Sequence, residues 1–331
     1  MVQHASWTEL ETEDEHMSTH RRRPGLPSYV RAAIAAVALL VCVVLASGFA
    51  LATYPGSTNG VLLFGAVVDG NTDVHSVLPN GRALQRLTTQ PGFDACPASS
   101  PDGKWIAYCS GVAPRYEIWV MRQDGSEKRQ VTSLGGASTF PDFSPTGERL
   151  AFAALVPGMT AGADILAVNT DGSGLTALTT TPGDDRYPAY SPDGSRIVFT
   201  SFRTGQWQVW LMDADGGNQV QLTFDDVMKD QVPDWSPDGS TIAYVTRPDP
   251  LVPGGDIWLM DADGGRQRQL TTGPDLDYGA SWSPDGTSIA FLDLGSRNVR
   301  ILDLATGSRH TVNPFAPQLV PGWQPRGDRA P

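Results

Sequence analysis

One four-residue turn sequence recurs along this chain of 331 residues, and its spacing constrains the fold more than any other feature. Ser-Pro-Asp-Gly, or Ser-Pro-Thr-Gly in one copy, occupies residues 100–103, 144–147, 191–194, 236–239 and 283–286, and residues 323–327 are a degenerate sixth copy. Successive copies lie 44, 47, 45, 47 and 41 residues apart. This period is typical of β-propeller blades and is long for most helical solenoids.

The residues around each copy have the pattern of four short antiparallel strands. Pro, Asp and Gly favour a tight turn, and apolar segments such as 105–108 and 117–121 follow it. A short segment ending in Leu-Thr, such as Leu178-Thr179, closes the repeat. The repeats lack the 3.6-residue apolar period of a helix, so the predicted fold class is all-β. Sheets that are apolar on both faces must stack on both sides, which a closed ring of blades achieves.

The two ends of the repeat region together supply one further blade. Residues 60–64, 73–77 and 86–88 match the second, third and fourth strands of a repeat, whereas its innermost strand is missing. Residues 319–323 provide a spare strand. The sequence therefore predicts a six-bladed β-propeller over residues 60–327, closed by the C-terminal strand, with residues 328–331 as a tail.

The repeat resembles a known family. Trp235–Gly239 reads Trp-Ser-Pro-Asp-Gly, residues 257–264 read Ile-Trp-Leu-Met-Asp-Ala-Asp-Gly, and residues 269–271 read Gln-Leu-Thr. These motifs are similar to the repeat of the TolB-like β-propeller (WD40-like Pro-Asp repeat) family. The resemblance implies an extracytoplasmic propeller that acts as a protein-binding module. The sequence before residue 60 differs from TolB proteins, in which an α/β domain precedes the propeller.

The N-terminal region predicts a membrane anchor. Residues 32–52 carry no charge, and 21 helical residues span about 31 Å, enough to cross a bilayer. Arginines precede this segment, which places the N-terminus in the cytoplasm and the propeller outside. Residues 1–31 are then a disordered cytoplasmic tail and residues 53–59 a linker. The alternative is a signal peptide cleaved near Ala52, with a secreted propeller.

Charge and cysteine content restrict the partners and the chemistry. Residues 60–331 contain 20 Lys or Arg and 31 Asp or Glu residues, a net charge of −11 that disfavours nucleic acid as a ligand. Cys96 and Cys109 flank one turn symmetrically, which predicts a cross-strand disulfide outside the cytoplasm; the alternative is two buried thiols.

No catalytic constellation stands out. His75 and His310 are isolated, no Gly-x-Ser-x-Gly elbow is present, and the Asp-x-Asp-Gly turns lack the other ligands of a calcium loop. We therefore expect no enzymatic activity and no metal or other cofactor, apart from the option of a cation at the central channel.

The best candidate site is a ring of residues that lies six positions before the Ser of each repeat. Its members are Asp94, Ser138, Asp185, Asp230, Asp277 and Gln318. Symmetry would place them at one mouth of the channel, where carboxylates could bind a cation, a basic side chain of a partner or an amino group. The alternative is that each Asp only caps the entry to its strand.

Loops on the same face complete the predicted binding surface. Arg203, Trp207, Arg247 and Tyr278 are the candidate contact residues, because variable loops on a rigid ring are where binding usually resides. The resulting expectation is a membrane-anchored module that binds a protein or peptide outside the cytoplasm. The alternatives are a carbohydrate or cell-wall ligand, and a lyase or hydrolase that uses the ring carboxylates.

Overall fold

The computed structural model describes residues 59–158, 162–224, 229–247, 255–273, 276–312 and 322–325, with only the backbone of residues 229, 230, 324 and 325. The predicted tail and membrane segment, residues 1–52, lie outside this range. Every regular element within it is a β-strand, which confirms the all-β prediction. The part of the chain that is described contains no helix of a length and apolarity suited to crossing a membrane.

The 24 described strands form six antiparallel groups of four, which we call units 1 to 6. Unit 1 contains β1 (Asn59–Val68), β2 (Asn71–Val77), β3 (Gln85–Arg86) and, at the other end of the chain, β24 (Gly322–Pro325). Unit 2 contains β4 (Phe93–Ser99), β5 (Trp105–Val112), β6 (Arg115–Arg122) and β7 (Arg129–Gln130). Unit 3 contains β8 (Ala137–Phe143), β9 (Arg149–Leu155), β10 (Asp164–Asn169) and β11 (Thr176–Ala177).

The last three units follow the same order. Unit 4 contains β12 (Asp185–Tyr190), β13 (Arg196–Ser201), β14 (Gln208–Asp213) and β15 (Val220–Gln221). Unit 5 contains β16 (Lys229–Trp235), β17 (Thr241–Arg247), β18 (Asp256–Asp261) and β19 (Arg268–Gln269). Unit 6 contains β20 (Asp277–Trp282), β21 (Ser288–Asp293), β22 (Asn298–Asp303) and β23 (Arg309–Val312).

The Ser-Pro-Asp-Gly turns join the first strand of a unit, its inner strand, to the second. In unit 4 the Ser191 hydroxyl donates to Asp193 at 2.6 Å, and Asp193 accepts the backbone N–H of Ser195 at 3.0 Å. Gly194 closes the turn with a φ of 73°, a conformation that glycine adopts without strain. We call this edge of the sheets the turn end, and the opposite edge, which carries the connections between units, the loop end.

Each described inner strand bends at the same point. A register shift falls in the middle of β4, β8, β12, β16 and β20. The residue at each shift has a positive φ of 54° to 69°; these residues are Cys96, Phe140, Tyr187, Val232 and Gly279. Left-handed backbone is unfavourable for side chains other than glycine, so the surrounding packing must hold this bulge in place.

The core lies between successive sheets and also joins the first strands to the last. Leu62 and Phe64 of β1 belong to a buried apolar cluster with Ile301 and Val312 of unit 6. Trp323 of β24 is in the same cluster and pairs with Leu62 in an antiparallel ladder. Unit 1 therefore contains strands from both ends of the described chain and packs against unit 6.

Candidate functional site

The predicted acidic ring is buried. Asp94, Ser138, Asp185 and Asp277 do lie at the start of their inner strands, but each side chain is at most 4% exposed. The side chain of Asp230 and all of Gln318 lie outside the described residues. The expectation of an open acidic channel mouth is therefore wrong for the four described members, because neighbouring strands cover them.

Hydroxyl groups across the sheet explain how two of these carboxyl groups are buried. Asp94 pairs with Ser110 and Asp185 pairs with Ser201 in the ladder between the first and second strands. Burial raises the pKa of Asp94, and hydrogen bonds from the Ser110 and Thr88 hydroxyls oppose that rise. In unit 3 both positions are small, since Ser138 pairs with Ala154. These pairs favour the strand-capping alternative for this ring.

Arg203 holds Asp185 in place. Its guanidinium donates to Asp185 Oδ2 at 2.9 Å and to Gln219 Oε1 at 2.5 Å, and its Nε donates to Ser201 Oγ at 2.8 Å. The same group stacks 4.5 Å from the ring centroid of Trp210. The Arg203 side chain is 11% exposed, so the expectation that it is a surface contact is wrong.

Asp277 has a carboxylate instead of a hydroxyl group across the sheet. It pairs with Asp293, which accepts hydrogen bonds from Ser296 at 2.6 Å and forms an ion pair with Arg300 at 2.5 Å. Burial favours a raised pKa for Asp293, but the hydrogen bonds of Ser296 and the charge of Arg300 outweigh it and lower the pKa. A cation from the third strand thus balances the acidic pair of unit 6.

A second buried polar set was missed by the sequence reasoning. The Thr that ends each closing segment, Leu-Thr or in unit 2 Val-Thr, accepts a backbone N–H of the neighbouring strand; the five hydroxyls belong to Thr88, Thr132, Thr179, Thr223 and Thr271. In four units the same hydroxyl also donates to the acid or amide side chain of the residue just before the one whose N–H it accepts. Thr223, for example, donates to Gln208 at 2.6 Å. The recurrence of Leu-Thr was the available signal.

Aromatic side chains from non-adjacent units meet between the inner strands. The hydroxyl oxygens of Tyr187 (unit 4) and Tyr278 (unit 6) lie 3.3 Å apart, and the ring centroid of Phe140 (unit 3) lies 4.4 Å from that of Tyr187. Tyr278 is 3% exposed, so it is a core residue and not the predicted loop contact. The inner strands of units 4 and 6, which are not consecutive along the chain, are therefore in contact.

The loop end carries most of the exposed apolar surface. Of seven large apolar side chains that are exposed in the described residues, five lie there: Val67, Val112, Leu155, Phe202 and Phe224. Val112 and Leu155 are the last residues of the second strand in units 2 and 3. Val67 is next to the last residue of that strand in unit 1, and Phe202 directly follows it in unit 4. Exposed apolar side chains are therefore concentrated at one edge of the sheets, and contiguous apolar surface of this kind marks docking sites.

Unit 4 has the most aromatic part of this surface. Phe202 packs against the half-exposed Trp207, with ring centroids 5.2 Å apart, and the Arg186 guanidinium lies 5.6 Å from the Trp207 ring. Of the four predicted loop contacts, Trp207 is at the surface in this patch. Arg247 is half-buried at the end of β17.

The cysteines do not face each other directly. Cys109 pairs with Ala95, because the bulge at Cys96 shifts the register by one residue. Both thiols are buried and free, and Cys109 Sγ donates to the Ala95 carbonyl at 3.2 Å. Burial raises the pKa of Cys109 well above its usual range, and the neighbouring Cys96 thiol adds to the effect. The predicted cross-strand register is therefore wrong, and the disulfide itself stays a prediction.

No cluster of three or more His, Cys, Asp or Glu side chains within the described ranges could hold a metal ion. His75 is buried, with Nδ1 2.9 Å from the Asp73 carbonyl, and its burial lowers its pKa. Clefts of 310 and 280 Å³ separate the turns of units 5 and 6 and of units 4 and 5. The carboxylates that line them, such as Asp238, already accept hydrogen bonds within their own turns.

Comparison with known proteins identifies the class. Residues 115–252 match the model of the TolB beta propeller domain. An uncharacterized protein of Agrobacterium fabrum is 33% identical over 178 residues, which cover 52% of this chain and only 46% of that relative.

Solved structures share the fold. TolB from Acinetobacter baumannii superposes with a TM-score of 0.71 at 24% identity, covering 82% of this chain and 68% of that chain. An oligogalacturonate lyase in complex with manganese gives a TM-score of 0.57 at 17% identity, with 80% and 77% covered. A chain of a nidogen/laminin complex gives 0.62 at 16% identity, with 80% and 97% covered. The fold is thus a β-propeller. Together with the match of residues 115–252 to the family model, this fold supports a TolB-like β-propeller.

Proposed function

We propose that this chain is a non-catalytic binding module whose protein or peptide ligand docks on the loop end. The observation that carries this proposal is the concentration of exposed apolar side chains at the loop end, with Val67, Val112, Leu155 and Phe202 near the end of the second strand in units 1 to 4. Apolar side chains that cluster on one exposed face are typical of interaction sites, and Phe202 and Trp207 are in direct contact there. TolB-like propellers generally bind proteins, which also supports a protein partner.

We further propose that the six units are the blades of one closed ring. Three contacts support closure by the C-terminal strand: β24 pairs with β1, the apolar cluster of Leu62 and Trp323 includes residues of unit 6, and Asn59 bonds to Asp285. A ring also accounts for the meeting of Tyr187 and Tyr278 from non-adjacent units. Membrane anchoring through residues 32–52, with the propeller outside the cytoplasm, remains part of the proposal; secretion after cleavage near Ala52 is the alternative.

We also propose that this chain has no catalytic activity. Two of the three described acids of the predicted ring are engaged: Asp94 with the Ser110 and Thr88 hydroxyls, and Asp185 with Arg203 at 2.9 Å. A carbohydrate ligand is the second candidate, because the Phe202–Trp207 pair offers aromatic faces of the kind on which sugar rings stack. The structural likeness to an oligogalacturonate lyase is a reason to include oligogalacturonate among the ligands tested.

The proposal is tested with the detergent-solubilised full chain as bait for crosslinked envelope proteins of its own organism. A loop-end variant replaces Phe202, Trp207 and Phe224 by Ser. The matched control replaces Leu175 and Val220 by Ser, because these are exposed by 46% and 49% but lie away from the loop end. We expect a specific partner that the control retains and the loop-end variant loses at least tenfold.

Equal capture by both variants would overturn the proposed surface. Binding of oligogalacturonate to the control protein alone, measured by calorimetry, would favour the carbohydrate reading. Turnover of that substrate, abolished by Asp185→Asn in a protein that stays folded, would overturn the non-catalytic proposal.

A further inference from the structure

Two inner strands carry a buried carboxyl group that the repeat does not require. Asp142 of β8 and Asp234 of β16 lie two residues before the Ser of their repeats, where units 2 and 4 have Ala98 and Ala189. Each side chain is 1% exposed. Because alanine suffices at this position in other units, the turn and the strand do not explain these two acids.

Each carboxyl group bridges two units through one oxygen. The backbone N–H of Tyr190 in unit 4 donates to Asp142 Oδ2 at 2.8 Å, and that of Trp282 in unit 6 donates to Asp234 Oδ2 at 2.8 Å. The other oxygen of Asp142, Oδ1, is buried and lacks a hydrogen-bond partner among the described residues. The backbone N–H of Phe143 also acts on this carboxyl group, but a charge buried at this depth remains costly.

The surroundings offer no compensating cation at close range within the described part of the chain. Across their own sheets, Asp142 faces Ala151 and Asp234 faces Ala243. The charged group that acts on Asp142 is Asp234, whose repulsion adds to the effect of burial; both carboxyl groups have a pKa raised well above the usual range, chiefly by burial. Burial raises the pKa of the nearby Tyr190 phenol to about 12; the charge of Arg149 opposes this rise and that of Asp142 adds to it.

We propose that Asp142 and Asp234 are a proton-binding pair that makes the contacts between the inner strands of units 3 and 4 and of units 5 and 6 dependent on pH. With one proton on each carboxyl group, the pair is neutral and the two backbone bridges are not hydrated. Loss of the proton leaves negative charge on the unpartnered oxygen, which water entry between the strands would relieve. The ligand of this site is therefore the proton itself.

The direction of the pH dependence of folding stability follows from the protons that the folded and unfolded states hold. The folded chain holds protons that the unfolded chain releases near pH 3.8, so folding stability falls as pH rises above that value, up to the raised pKa of the folded state. Replacing the acid by Asn removes this loss. The benefit of the replacement must therefore grow with pH.

The test compares the full chain with Asp142→Asn, Asp234→Asn and the double variant by thermal unfolding between pH 5 and 8. We expect each variant to gain on the wild type by about 3 °C per pH unit within the titration range. Asp193→Asn is the matched control, since hydrogen bonds lower the pKa of this turn carboxylate and its replacement should not gain with rising pH.

A gain or loss that is constant across this pH range would overturn the proposal and leave the two acids a structural role only. If the variants do not fold, the carboxyl ¹³C resonances of Asp142 and Asp234 are titrated in the wild-type protein. Midpoints above pH 6 support the proposal, and midpoints near 4 overturn it.

Discussion

Asn59 and Asp285 lie 226 positions apart in the chain but exchange two hydrogen bonds. Asn59 Nδ2 donates to Asp285 Oδ2 at 2.8 Å, and the Asp285 N–H donates to Asn59 Oδ1 at 3.3 Å. Counted back from the apolar strand, Asn59 occupies the place that the turn glycine holds in the complete repeats. The side chain thus links the turn of unit 6 to the first described strand of the chain.

This link predicts a specific effect of Asn59→Ala. The variant should lose about 1 kcal/mol of unfolding free energy, because Asp285 loses a donor and an acceptor. The strands of unit 6 should also exchange amide hydrogen faster in mass spectrometry, since they lose a contact with unit 1. Asn218→Ala is the control, because Asn218 bonds only within its own turn, to Asp213 at 2.6 Å. Equal exchange in unit 6 for both variants would contradict the role of Asn59 in joining the units.

Arg203→Ala should be strongly destabilising. It leaves the fully buried Asp185 without its ion-pair partner, and removing one member of such a pair costs about 3 kcal/mol or more. The control is Lys104→Ala, because Lys104 and its partner Asp102 have side chains that are 62% and 50% exposed, so its loss should be below about 1 kcal/mol. Urea denaturation measures both. Similar losses would show that the Arg203 contact contributes no more than an ordinary surface pair.

The repeat alone was sufficient to predict strands, turns and the TolB-like propeller fold, because turn chemistry and apolar periodicity are local properties. The burial of the predicted ring was not predictable in the same way. Whether Asp94 is covered depends on Ser110 across the sheet and on Thr88 from the preceding unit. Unit 3 has Ser138 and Ala154 where units 2 and 4 have an Asp and a Ser. This joint change indicates that the two positions are paired, but it can be recognised only once the strand register is known.

The exposed surface was predicted only in part. The loop 203–207 was singled out because it joins two strands on the face of the predicted ring, yet Arg203 turns inward to Asp185 while Phe202 and Trp207 form the outer patch. Arginine and tyrosine have both apolar and polar parts, so sequence alone does not decide which way they face. Tyr278 illustrates this, because its hydroxyl meets that of Tyr187 inside the protein.

Thr179→Val should destabilise the fold despite its nearly unchanged shape. The Thr179 hydroxyl accepts the buried backbone N–H of Ile165 at 2.9 Å, and valine leaves that donor unsatisfied at a cost of about 1–3 kcal/mol. The control is Thr176→Val on the exposed β11, which should change the unfolding free energy by less than about 0.5 kcal/mol. If chemical denaturation gives the same result for both, the repeated Thr is not a structural requirement of the unit.

The thiols of Cys96 and Cys109 can be distinguished from a disulfide by alkylation in a Cys42→Ser background. Both side chains are buried, and the raised pKa of Cys109 leaves little thiolate to react. We therefore expect no iodoacetamide adduct on the native protein and two adducts after denaturation without reductant, read by intact mass. The register supports this result, because Cys109 faces Ala95 and donates to its carbonyl. Denatured protein that takes up two adducts only after reduction would instead establish the bond between Cys96 and Cys109.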